Sequence, residues 1–85
     1  MKVRFALSPA DERPTLVRFR ELRERANDVL DARAAKAILR ELKAVGGNLR
    51  AVRRALTGRE SGPALWSVIA ALPREETLRR IDGAL

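Results

Sequence analysis

Histidine, cysteine and tyrosine are absent from the 85 residues, and the aromatic complement is Phe5, Phe19 and Trp66. Without histidine or cysteine there is no zinc finger, no thiol nucleophile, no Ser–His relay and no disulfide framework. The expectation is therefore no metal, no cofactor and no catalysis. A carboxylate-only enzyme stays formally open, but a chain this short has room for one small domain and little wall for an enclosed pocket. Long apolar runs are also missing. The longest uncharged stretch, residues 61–73, is interrupted by Pro63 and ends on Pro73, well short of the roughly 20 residues that cross a bilayer. The first residues lack the apolar core of an export signal. The expected protein is soluble and cytoplasmic, with no membrane partner.

What is abundant is arginine. Of 18 basic residues 15 are Arg, against 11 acids, for a formal net charge of +7. The guanidinium is a planar fork that matches phosphates and base edges and stacks on bases. The balance points to nucleic acid or another acidic surface. The competing explanation is a composition rich in Arg and Ala for reasons unrelated to function.

Residues 2–7 alternate up to Phe5 and form a short strand or an extended arm. A single strand finds no pairing partner within this chain, so residues 1–10 are set apart as an N-terminal arm and residues 11–85 as one domain. From Pro14 the periodicity is helical. Leu16, Phe19, Leu22 and Ala26 share one face, with Arg18, Glu21, Arg25 and Asp28 outside. Asn27 or Asp28 is the expected break. A second stripe follows, Val29, Leu30, Ala34, Ile38, Leu42 and Val45, closed by Gly46-Gly47. Asn48 suits the cap of a third helix, Leu49 to Leu56, which Gly58 ends. A fourth helix buries Leu65, Val68, Ile69 and Leu72. Pro73 opens a fifth, with Glu75 and Glu76 in its first turn and Leu78, Ile81 and Leu85 inward. The expected fold is all-α, a small bundle of four to five short helices. The Ala-rich second helix also suits self-association, so a homodimer is one possible state.

Chemistry concentrates between Asn48 and Trp66. Arg50, Arg53, Arg54 and Arg59 occur there with no acid before Glu60, and the first three share a helix face. The turn behind them holds Gly58, Gly62 and Pro63, which shape the backbone and leave its polar groups free for a ligand. A basic helix leading into such a turn suits phosphates and single-stranded bases. A solvated helix face followed by an ordinary connection fits the same pattern equally well.

The run Leu49-Arg-Ala-Val-Arg-Arg-Ala-Leu-Thr-Gly-Arg-Glu-Ser-Gly-Pro-Ala-Leu-Trp66 resembles the C-terminal part of bacterial glutamyl-tRNA synthetases. The match continues in register through Ser67 to Ile81. Ala64 replaces the glycine usual after the proline, and Trp66 replaces the usual phenylalanine. The resemblance covers residues 45–85 specifically. It implies an α-helical anticodon-binding subdomain acting as a non-catalytic tRNA-binding module, with tRNA-Glu as the expected partner. Arg53 corresponds to the arginine that approaches the anticodon nucleotides. Gly62, Pro63 and Leu65 correspond to the turn that meets the bases, Gly62 through its backbone alone. Arg50, Arg54 and Arg59 complete the expected nucleic-acid-binding set. Val3-Arg-Phe-Ala-Leu-Ser-Pro9 is similar to the start of the catalytic domain in the same synthetases, so descent by internal deletion is a further expectation. The histidines of the first catalytic signature and the lysine-rich second loop are both missing. The alternative is a structural or assembly protein, a homodimer or a synthetase partner, that has kept the fold without RNA binding. A helix-turn-helix DNA binder fits poorly, because Ser67 is the one polar side chain in the helix that would enter the groove.

Overall fold

The computed structural model describes residues 12–85. The arm expected over residues 1–10 lies outside the described residues. Within them the chain forms five helices and no strand: α1 Glu12–Arg25, α2 Ala32–Ala44, α3 Leu49–Thr57, α4 Leu65–Ala71 and α5 Arg74–Ala84. The all-α bundle is the expected one. α1 packs on α2, α3 and α5, α4 lies along α2, and α3 meets α5.

The core follows the sequence stripes with a few substitutions of membership. Leu16, Phe19, Leu30, Ile38, Leu42, Val52, Leu56, Leu65, Ile69 and Ile81 are buried, and Leu22, Ala26, Val68 and Leu72 pack at its margin. Val29 and Val45 do not join it; they are 68% and 67% exposed. Both lie outside α2, where helical periodicity no longer governs direction. Leu85, just beyond α5, is likewise 39% exposed. Ala35 is fully buried and Ala34 lies against the core, so the small-residue face of α2 is largely used within the chain.

The break between α1 and α2 is real, but its cap is Asp31 rather than Asn27 or Asp28. The Asp31 carboxylate accepts the Ala34 N–H at 2.8 Å, satisfying one of the four orphan donors of the helix start. Asp28 is engaged elsewhere. Its carbonyl accepts the Arg74 N–H at 2.9 Å, which ties the connection to the first turn of α5.

Arg23 explains why that connection holds its shape. It follows Phe19 by four residues and is itself fully buried. Its Nη1 donates to the Asn27 carbonyl at 2.7 Å, and its Nη2 donates to Asp28 at 2.7 Å and to Leu72 at 3.3 Å. Its Nε is buried without a partner among the described residues. Burial foremost, then the charge of Arg74, pulls this guanidinium below its ordinary pKa, while Asp28 opposes them.

Acid sensitivity follows from the outer ion pairs. Arg79 and Arg80 both donate to Glu76, and Arg20 donates to Asp82 at 2.7 Å. The hydrogen bonds from Arg79 and then Arg80 hold the Glu76 carboxyl below its usual value, and that from Arg20 does the same for Asp82. A carboxyl with a depressed folded pKa stabilises the fold above its unfolded value and loses that contribution as pH falls through the folded one. No histidine is present to titrate near neutrality. The thermal midpoint is therefore expected to stay level from neutral pH down to the carboxylate range and to fall below it. The decline is modest because the pairs are solvent-screened. Melts of the protein and of Glu76→Gln check this: the variant should start lower at neutral pH and show a flatter acid limb.

Candidate nucleic-acid interface

α3 is fixed at both ends by residues legible in the sequence. The Asn48 side chain accepts the Ala51 N–H at 3.2 Å, while the Asn48 N–H donates to the Thr15 hydroxyl of α1 at 2.9 Å. At the far end Gly58 adopts φ 75°, and its N–H donates to the Arg54 carbonyl at 2.8 Å. That left-handed conformation is open to glycine at little cost. Val52 and Leu56 face the core, which leaves Arg50, Arg53 and Arg54 outward.

These arginines share a sector of α3 but part company in their contacts. Arg53 reaches the following turn, where its Nη1 donates to the Pro63 carbonyl at 2.7 Å. The same nitrogen lies 3.7 Å from where a Cβ on Gly62 would stand, and Gly62 has φ 144°. Arg53, Gly62 and Pro63 are thus brought together. Arg54 turns the other way, with Nη2 2.6 Å from Glu12 of α1. That hydrogen bond and charge raise its guanidinium above the ordinary value. Arg50 and Arg59 are exposed, and their guanidinium groups have no hydrogen-bond or ion-pair partner among the described residues. Leu65, the first residue of α4, is 8% exposed and roots the turn in the core.

Residues 58–64 are all exposed. Among the described residues, the backbone N–H groups of Glu60, Ser61 and Gly62 have no hydrogen-bond partner. Two supports of the turn went unread in the sequence. The Thr57 hydroxyl donates to the Arg53 carbonyl at 2.9 Å and accepts the Arg59 N–H at 3.0 Å. Arg80 of α5 donates to the Leu56 carbonyl at 2.6 Å, satisfying an acceptor that the helix end leaves open. A hydroxyl one residue before a C-capping glycine was a usable signal for Thr57; nothing local marks Arg80. A third unread contact places the Lys36 ammonium 4.8 Å above the Trp66 ring.

On the other flank of α3 an open groove of about 860 Å³ is lined by Lys43, Arg50, Arg54, Glu12 and Glu60, among others. Its mixed charges do not make it a phosphate pocket. No cluster of acidic side chains that could hold a metal occurs among the described residues.

The family model for the anticodon binding domain matches residues 4–85. The chain belongs to this anticodon-binding domain family. The match takes in most of the segment set apart above as an arm, as well as α1. The domain is also similar to the glutamate–tRNA ligase of Desulforudis audaxviator (strain MP104C), 43% identical over 53 residues. That alignment covers 61% of this chain and 11% of the ligase, so the chain spans about a tenth of that relative's length. No solved structure matches. The resemblance read from Leu49 to Ile81 is upheld at the level of the family. No helix among the described residues is long and apolar enough to cross a membrane.

Proposed function

We propose that this anticodon-binding-family domain is a non-catalytic tRNA-binding module that engages the anticodon arm, with tRNA-Glu as its partner. The observation that carries this reading is the guanidinium of Arg53 set against Gly62 and bonded to Pro63, beside unpartnered backbone donors. Splayed bases of an RNA loop are read by such backbone groups and by stacking on arginine planes. Arg50 and Arg59, free of carboxylates, meet phosphates. Arg53 holds the turn in shape and offers its remaining N–H groups to the RNA. Arg54 contributes charge at the margin while anchored to Glu12. Gly62 and Pro63 act through their backbone, and Leu65 keeps the turn seated on the core.

The test is a titration of tRNA-Glu and of an unrelated tRNA at two salt concentrations. Binding is expected to be salt-sensitive and tighter for tRNA-Glu. Arg53→Ala should weaken it about tenfold, the scale of a lost base-directed contact. Arg18→Ala, which removes an exposed ion pair on α1, should leave it nearly unchanged. Equal affinity for both tRNAs would remove the base-reading role, and no binding at low salt would remove the whole proposal. Sedimentation of the same samples separates the assembly alternative, which requires a tight dimer or synthetase complex that excludes RNA.

A further inference from the structure

Sorting the cations by partner divides the molecule into two sides. On α1 and α5 arginines stand beside acids: Arg18 with Glu21, Arg20 with Glu24 and Asp82, Arg79 and Arg80 with Glu76. Arg13 and Arg74 donate to backbone carbonyls, and Arg23 is buried. Arg25, at the end of α1, is the exception. α2 is different throughout. Arg33, Lys36, Arg40 and Lys43 recur at spacings of three, four and three, with Glu41 the sole acid in the helix. At 3.6 residues per turn the four fall within an arc of about 80° and run along about 15 Å of axis. All four are exposed, and the side chains of Arg33, Arg40 and Lys43 have no ion-pair or hydrogen-bond partner among the described residues.

The stripe touches the candidate interface at two places. Lys36 lies over Trp66, the residue after Leu65, and Lys43 shares a groove with Arg50 of α3. We propose that the outer face of α2 is a second phosphate-binding track. It takes the sugar–phosphate backbone of the RNA whose bases meet the turn at residues 58–65. This extension rests on the tRNA-binding reading above. A cation already paired with a carboxylate gives up that pair before it gains a phosphate, whereas the α2 cations give up only water and diffuse counterions. Each such contact adds about 0.7 to 0.9 to the slope of log affinity against log salt. Continuity with Trp66 and Arg50 favours one RNA lying across both surfaces over a separate acidic protein.

The experiment compares the full chain with Arg33→Gln/Arg40→Gln/Lys43→Gln, leaving Lys36 in its contact with Trp66. Both are titrated with a tRNA-Glu anticodon stem-loop across a salt series. The triple variant is expected to flatten the salt slope by about 2.4 while keeping its preference for the cognate loop over an unrelated one. Arg18→Gln/Arg79→Gln, made on the paired side, should not change the slope. If circular dichroism shows the triple variant unfolded, Arg40→Gln and Lys43→Gln singly carry the same reading, each flattening the slope by about 0.8. An unchanged slope in folded variants overturns the track and leaves the tRNA reading standing. Failure of the unaltered chain to bind the stem-loop at low salt overturns both. Loss of poly-glutamate binding in the triple variant, with its RNA slope intact, would assign the stripe to an acidic protein and overturn the proposal.

Discussion

Arg23→Met is expected to destabilise the domain by about 3 kcal/mol, read as a shift in the midpoint of urea unfolding at constant m-value. Two opposing effects set the sign. Burying a guanidinium without a facing carboxylate costs several kcal/mol, so its removal alone relieves strain. The three carbonyls it serves remain, however. Hydrogen bonds to a charged donor contribute about 1.5–3 kcal/mol each. Asp28 keeps the Arg74 N–H, but the Asn27 and Leu72 carbonyls lose the donor that reaches them. Replacing one side of such an arrangement differs from replacing all of it with apolar groups, and the unsatisfied acceptors dominate. Lysine is no rescue, because one ammonium cannot span carbonyls of the α1–α2 and α4–α5 connections as the fork does. An unchanged midpoint in Arg23→Met would show that the carbonyls find water and that the clamp is dispensable.

Phe19→Ala should cost at least as much, about 3–5 kcal/mol. Phe19 is fully buried in α1, the helix on which α2, α3 and α5 all pack. Leu and Ala make up most of the core cluster, and a helix held on three sides is poorly free to collapse into the vacated space. Stability near 0.05–0.15 kcal/mol per residue gives about 4–13 kcal/mol for a domain of this size. A single small core places the domain at the low end of that range, so the variant is expected to be largely unfolded or barely folded at 37 °C, with loss of helical circular dichroism and of any RNA binding. A cooperative melt at the parent midpoint would show that the core repacks around the gap.

Both residues lie in α1, and their legibility in the sequence differs for a physical reason. Phe19 announces itself by type and spacing. Arg23 stands at the next position of the same face, yet its charge hides it, because hydrophobic periodicity counts residues by chemistry and not by register. The turns were easier. Asn48 acts through a side-chain bond to its own helix, and Gly46 and Gly58 through left-handed backbone at φ 74° and 75°, so α3 and its ends were readable almost to the residue. Val29 and Val45 misled because a stripe was extended past the residues that carry helical geometry. Within the candidate site, Arg53, Gly62 and Pro63 were marked by residue type and by resemblance. That Arg53 bonds Pro63 while Arg54 turns to Glu12 depends on how α1 packs, and no local pattern encodes it. The α2 stripe was in plain view as spacing, but its separation from acids emerges only once the ion pairs of α1 and α5 are known.

The uneven distribution of acids gives the domain an orientation in an electric field. α2 and the segment from Leu49 to Ala64 each carry four cations against one acid, whereas α5 carries as many acids as bases. Seen from several ångströms away the molecule is a dipole superimposed on a positive charge. A polyanion exerts a torque on such a body as well as a pull, so approach and alignment occur together before any contact forms. The encounter is thereby biased toward the α2–α3 side over roughly the Debye length, about 8 Å at physiological ionic strength.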